Sequence, residues 1–164
     1  MSSMTTLAKV HAMLPGSLLL NISAQDAERL MLSRVGTDSR QIDAGELFIA
    51  LAGERFDAHD FLFDVANSGA GAALVSDAKK CPENLPAVCV SDTRIGLGEL
   101  AKAWRTSHAI PLALVTGSNG KTTVKEMIAS IFRAAAGEAH TLVTKGNLNN
   151  EIGLPLTLLK LRST

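Results

Sequence analysis

The chain has 164 residues, 46% of them hydrophobic and 20% charged, which is long enough for one substantial core or two small domains and too apolar for a disordered or fibrous protein. Sixteen basic residues balance 16 acidic ones, so overall charge gives no reason to expect a nucleic-acid partner, and any bound phosphate must be held locally. The apolar stretch Leu18-Leu19-Leu20, behind Pro15 and Gly16, is far too short for a membrane span and lacks the basic flank of a signal peptide, so a soluble cytoplasmic protein is expected. Cys81 and Cys89 have no C-x-x-C spacing and read as small apolar residues near or within a strand.

Leu7, Val10 and Leu14 recur at helical spacing and stop at Pro15 and Gly16. Residues 29–35 read as a strand leading into the loop Gly36-Thr37-Asp38-Ser39-Arg40. The run Glu46-Leu-Phe-Ile-Ala-Leu51 is a clearer strand, closed by Gly53; Phe61, Val65 and Ala66 then mark a helix ending at Gly69. Strands over 72–76 and 87–90 follow. Asp92 and Thr93 are helix-start residues, with Leu97, Leu100, Ala101 and Trp104 on one face of the helix they open. A polar break over 106–111 ends this first α/β unit near residue 108.

The second unit opens on an apolar run, residues 112–115, read as a strand. Thr116-Gly-Ser-Asn-Gly-Lys-Thr-Thr123 comes next, and then Val124, Met127, Ile128, Ile131, Phe132 and Ala135 at helical spacing, with Gly137 at the helix C-cap. Strand, glycine loop and helix in that order make a phosphate cradle. Gly117 and Gly120 let the backbone bend and approach phosphate closely, the amides from Gly117 through Ser118, Asn119 and Gly120 to Thr123 point at negative charge, Lys121 adds a point charge, and the Thr122 hydroxyl is a ligand for Mg²⁺. The octapeptide therefore predicts a nucleoside triphosphate, although Val115 stands where a full Walker pattern has its first glycine. A strand over 141–144 would complete a right-handed βαβ crossover, and the apolar positions from Ile152 to Leu161 suit a helix begun near Pro155. One such unit is an incomplete sheet, so the sequence reads as the front part of a longer protein.

The octapeptide resembles the nucleotide loop of the Mur ligases, ATP-dependent amide-forming enzymes of bacterial cell-wall precursor synthesis, which also lack the first Walker glycine. The resemblance extends through Val124-Lys-Glu-Met127 and Gly146-Asn-Leu-Asn-Asn-Glu-Ile-Gly-Leu-Pro155, and upstream through Thr37-Asp-Ser-Arg40 and the stretch from Gly45 to Phe61. Folylpolyglutamate synthases carry a similar loop but have glycine where this chain has Thr122. The resemblance implies an α/β fold in two parts: an N-terminal UDP-binding α/β domain over 1–108, and the start of a P-loop parallel-sheet ATPase domain over 109–164. The G-N-x-N-N-x-I-G-x-P stretch is most similar to the member that joins D-alanyl-D-alanine to UDP-N-acetylmuramoyl-tripeptide through an acyl phosphate, with ATP and Mg²⁺ required. A monomer that is inactive as this fragment is expected, since further magnesium ligands of the family lie beyond residue 164.

By the same resemblance Lys121 and Thr122 are the catalytic residues, Thr37 and Ser39 meet uridine, and Glu54, Arg55 and Phe56 close over the UDP sugar, with Arg55 on the diphosphate. Asp38 and Arg40 have a plainer reading as partners in a local turn. Asn147, Asn149 and Asn150 either contact the muramoyl-peptide or the terminal phosphate, or simply form a turn around Gly146. Asp57, His59 and Asp60 have metal-like spacing but read as a structural turn, with no fourth ligand nearby in sequence. A function of another class also stays open: a binding module that recognises UDP-linked metabolites without turnover. A small P-loop kinase is disfavoured by the α/β unit preceding the loop and the lack of a following lid.

Overall fold

The computed structural model describes residues 3–53, 56–146, 148 and 150–162. In chain order its first elements are β1 (Thr5–Thr6), α1 (Leu7–Ala12), β2 (Leu18–Leu20), α2 (Ala24–Arg29), β3 (Met31–Leu32) and β4 (Val35–Gly36). After these come β5 (Leu47–Ile49), α3 (Leu62–Asn67), β6 (Ala72–Val75), β7 (Ala87–Cys89), α4 (Thr93–Thr106), α5 (Lys121–Ala136) and α6 (Gly153–Leu158), with short 3-10 turns at Ala58–Phe61, Ala78–Lys80 and Glu138–His140. Side-chain caps set the helix starts: Thr6 accepts from the Lys9 N–H, Ser23 from the Asp26 N–H, and Asp92 from the N–H groups of Arg94 and Ile95.

Five strands form the main sheet in the order β2-β7-β6-β5-β4, parallel throughout except for β2, which pairs antiparallel with β7. Every residue of β5 and β6 is buried, as a sheet covered on both faces requires. Side chains alternate between the faces. Leu47, Ile49, Ala72, Leu74 and Val88 join one core with α1, α2 and α4, whereas Phe48, Ala50, Ala73, Val75 and Ala87 join another with Leu62 and Val65 of α3. At the sheet's lower edge Gly71 packs so closely on the backbone of Gly45 that a Cβ would stand only 3.0 Å from it.

Three expectations are corrected. Residues 29–35 do not make one strand: α2 runs to Arg29, Leu32 then pairs with Thr5 in a separate two-stranded sheet, and Val35 pairs with Leu47 in the main one. Here the chain changes sheets, which periodicity over seven residues does not reveal. Residues 112–115 and 141–144 are not strands either. A strand needs neighbours for its backbone N–H and C=O groups, and among the described residues no strand pairs with either segment. The α5 helix itself forms as expected and ends at Gly137, whose φ of 90° and N–H bond to the Arg133 carbonyl at 2.8 Å close it.

The helix read near Pro155 is α6, and it packs along α4. Leu159 and Leu161 enter the core of Leu97, Leu100, Ala101 and Trp104, and the Trp104 indole N–H donates to the Leu161 carbonyl at 3.2 Å. At the start of α6 Gly153 lets the preceding loop fold closely over the helix, because a Cβ there would lie 2.7 Å from Leu148.

Candidate functional site

In a parallel sheet the loops that leave the carboxyl ends of the strands converge on one edge, where open α/β folds bind ligands. Here those loops begin after Gly36, Ile49, Val75 and Cys89. Thr37 and Ser39 follow β4 directly and are half-buried. Between them Asp38 accepts from the Arg40 guanidinium at 2.8 and 2.9 Å and from the Arg40 N–H at 3.1 Å, and the guanidinium holds the Asp38 carboxyl down at about 2. The local pair read from the D-S-R turn is thus formed.

After β5 the chain makes a tight loop. Ala52 bridges Asp57, and the Gly53 N–H donates to the Phe56 carbonyl at 2.7 Å. Phe56 is 56% exposed and stacks on Phe61 with ring centres 5.3 Å apart, leaving an aromatic face open at this edge. Glu54 and Arg55 lie outside the described residues.

Asp57, His59 and Asp60 form the structural turn that was expected. One Asp57 oxygen caps the 3-10 turn and takes the His59 Nδ1–H at 2.6 Å, while the other meets Lys80 Nζ at 2.7 Å. His59 Nε2 accepts the Ser76 backbone N–H at 2.9 Å, so the buried imidazole continues the hydrogen bonding just past the end of β6. Lys80, then the His59 N–H, pull the Asp57 carboxyl well below the usual carboxylate range. Among the described residues no three His, Cys, Asp or Glu side chains gather as a metal site. Cys81 and Cys89 are free, and partial burial raises both thiols above their ordinary value.

The phosphate loop has its own geometry. Gly117 and Gly120 adopt φ of 140° and 74°, conformations that disfavour any side chain. Gly120 occupies the N-cap position of α5, where no side chain caps the first-turn N–H groups, so these donors face outward at the positive end of a 16-residue helix. Lys121 Nζ folds back over the loop onto the carbonyls of Gly117 at 2.5 Å and Ser118 at 3.2 Å. A cation held above a cluster of amides suits a triphosphate. Ser118, Asn119, Thr122 and Thr123 are exposed around it, Thr122 standing on the first turn of α5.

Of the three asparagines, Asn147 and Asn149 lie outside the described residues. Asn150 serves the turn: its side-chain oxygen accepts from the N–H groups of Ile152 at 3.2 Å and Gly153 at 2.7 Å and caps α6. Two residues at this edge carried no signal beyond helix-start chemistry. Thr93 Oγ1 donates to the Ala50 carbonyl at 2.7 Å, and Arg94 reaches both the Ala52 carbonyl and the Glu151 carboxylate. Only the fold brings residues this far apart in sequence together.

Two family models match the chain: residues 32–105 fit the Mur ligase family, catalytic domain, and residues 115–164 the Mur ligase middle domain. The chain belongs to the Mur ligase family. This Mur ligase chain is 48% identical over 143 residues to UDP-N-acetylmuramoyl-tripeptide–D-alanyl-D-alanine ligase of Escherichia coli (strain K12), a match covering 87% of the chain and 30% of that relative. It is 38% identical to the like-named protein of Synechocystis sp. (strain ATCC 27184 / PCC 6803 / Kazusa), over 98% of the chain and 35% of the relative. The chain thus spans about a third of the length of the curated relatives it matches. Among solved structures, MurF from Acinetobacter baumannii superimposes with a TM-score of 0.83 at 37% identity over 96% of the chain and 33% of that structure's chain. MurF from Thermotoga maritima in complex with ADP gives 0.67 at 30% identity, over 79% of the chain and 29% of its own.

Proposed function

We propose that the chain supplies the UDP-substrate domain and the phosphate loop of a ligase that joins D-alanyl-D-alanine to UDP-N-acetylmuramoyl-tripeptide at the expense of ATP. The observation that carries this reading is the loop from Gly117 to Thr123, with two positive-φ glycines, uncapped helix amides and a lysine folded over them, in a chain 48% identical to a protein named for that reaction. The relative bound to ADP supports a nucleotide at the corresponding loop. The division near residue 108 is supported by the two family matches on either side of it.

In this reading the γ-phosphoryl group passes to the tripeptide carboxylate, ADP leaves, and the D-alanyl-D-alanine amine then displaces phosphate to form the amide. Lys121 leaves the Gly117 and Ser118 carbonyls for the phosphates and neutralises the charge that develops on the transferring group. The loop amides orient the phosphate chain, and the Thr122 hydroxyl contributes to Mg²⁺. Thr37 and Ser39 meet uridine, Glu54, Arg55 and Phe56 close over the UDP sugar with Arg55 on its diphosphate, and Asn147 and Asn149 face the muramoyl-peptide or terminal phosphate. Asn150 keeps only its amide N–H₂ for that purpose, its oxygen being held in the α6 cap. Dependence on ATP puts the work in the cytoplasm, with one chain as the working unit.

Two measurements test this reading. Calorimetric titration of the chain with UDP and with UDP-N-acetylmuramoyl-tripeptide should detect binding that weakens in Arg55→Ala; a folded chain that binds neither ligand refutes the assignment. In the complete ligase Lys121→Ala should slow phosphate release by roughly 10²- to 10³-fold, as loss of a preorganised charge donor does, while UDP-substrate affinity holds. Near-normal turnover at saturating ATP would remove the phosphate-loop reading.

A further inference from the structure

The Arg94 side chain stands between the loop after β5, which the proposed function gives to the UDP sugar, and the segment ending at Asn150, which it gives to the muramoyl-peptide or the terminal phosphate. Its Nη2 donates to the Ala52 carbonyl at 3.4 Å, at the base of the loop that Ala52 and Asp57 close, and its Nη1 pairs with the Glu151 carboxylate. Thr93, its neighbour, holds the Ala50 carbonyl at 2.7 Å from inside the core, so consecutive residues of α4 grip the chain leaving β5. Glu151 directly follows Asn150, the cap of α6. Further back, Lys125 Nζ donates to the Thr144 carbonyl at 2.8 Å and ties the start of that same segment to α5. Polar contacts therefore tie Thr144 to the helix behind the phosphate loop, and Glu151 through one ion pair to the loop after β5.

The two side chains of that pair are 42% and 63% exposed, so the pair contributes little to stability. Its effect lies in placement. A guanidinium presents several donors in a rigid plane and can hold a carbonyl and a carboxylate at once, which an ammonium on a flexible stem does less well. We propose that Arg94 is a positioning residue that sets the loop after β5 against the segment ending at Asn150, so that the sugar-diphosphate end and the muramoyl-peptide end of one substrate are gripped in register. The proposal rests on the function proposed above.

Calorimetry on the chain with UDP and with UDP-N-acetylmuramoyl-tripeptide separates the two ends. Arg94→Ala should weaken the tripeptide conjugate roughly fivefold to tenfold, the lower range of coupling between sites, and should weaken UDP as well. Glu151→Ala should weaken the conjugate to a similar degree and leave UDP unchanged, because UDP alone does not reach the Asn150 segment. The double variant should bind the conjugate no worse than the weaker single one, since both changes break one link. Melting temperatures should stay within about 2 °C of the parent, as for an exposed pair. Changes under twofold, additive losses in the double variant, or an equal effect of Glu151→Ala on both ligands would overturn the role of Arg94. A folded parent chain that binds neither ligand would instead bring down the functional reading itself.

Discussion

The sheet built on β5 and β6 and the segment carrying the phosphate loop start from the same kind of sequence, an apolar run before a loop and a helix, and end in opposite conditions. Leu47, Phe48 and Ile49 are wholly buried, whereas Leu112 is 61% exposed and Leu114 76%. The first run has strands on both sides to complete its ladder; the second pairs with none among the described residues. Yet the phosphate loop between residues 112–115 and α5 keeps its glycine conformations and its lysine fold-back. Loop and helix are local structures, set by residues within a few positions of one another, and a strand is not. The loop from Gly117 to Thr123 therefore takes its shape from local structure, with no paired strand beside it among the described residues.

The strongest test of this contrast compares one buried and one exposed apolar residue. Phe48→Ala should cost about 3–5 kcal/mol in chemical denaturation, since it empties the core between the sheet and α3. Met127→Ala, on the exposed face of α5, should change stability by no more than about 0.5 kcal/mol. Comparable losses at the two positions would mean that α5 is packed in solution and that the contrast is wrong. Gly36→Ala sharpens the picture at the edge of the sheet, where an added Cβ would fall 1.8 Å from a Glu46 carboxylate oxygen. Displacing that buried side chain should cost about 1–3 kcal/mol, measured by the same unfolding midpoint.

Local structure was also what the sequence made legible. The strands at Leu47–Ile49, Ala72–Val75 and Ala87–Cys89, the Asp92 cap with the buried stripe from Leu97 to Trp104, and the helix after Gly120 all follow from patterns within a dozen residues. What escaped depends on distant partners. Helix α2 is only six residues long, and β3 exists because Leu32 finds Thr5. The packing of α6 on α4 needs the Leu161 carbonyl to meet Trp104. In the site, the glycines and Lys121 announce themselves as a contiguous motif, but the roles of Arg94 and Glu151 come from a contact across 57 positions that no local pattern encodes.

The smallest expected effect concerns the carboxylate under Gly36. Glu46 is fully buried; one of its oxygens takes the Asp43 N–H at 3.2 Å and lies 3.0 Å from Arg34 Nε in an ion pair, and the other has no hydrogen-bond partner. Burial raises its pKa against the opposing pull of the Asp43 N–H and then of Arg34. A carboxyl raised in the folded state contributes most below its unfolded value of 4.5, where it is protonated in both states, and loses that contribution as pH rises through the higher folded value. Glutamine keeps the shape and does not titrate. Thermal unfolding of the parent and of Glu46→Gln between pH 4 and 8 should therefore show the parent losing ground steadily to the variant from about pH 4.5 upward, with the gap levelling once Glu46 is ionised in the folded protein. If the parent instead gains on the variant over that range, Arg34 outweighs burial and the sheet edge is held by an ion pair. The contrast between the two regions would then rest on electrostatics at that edge as well as on the closure of the sheet.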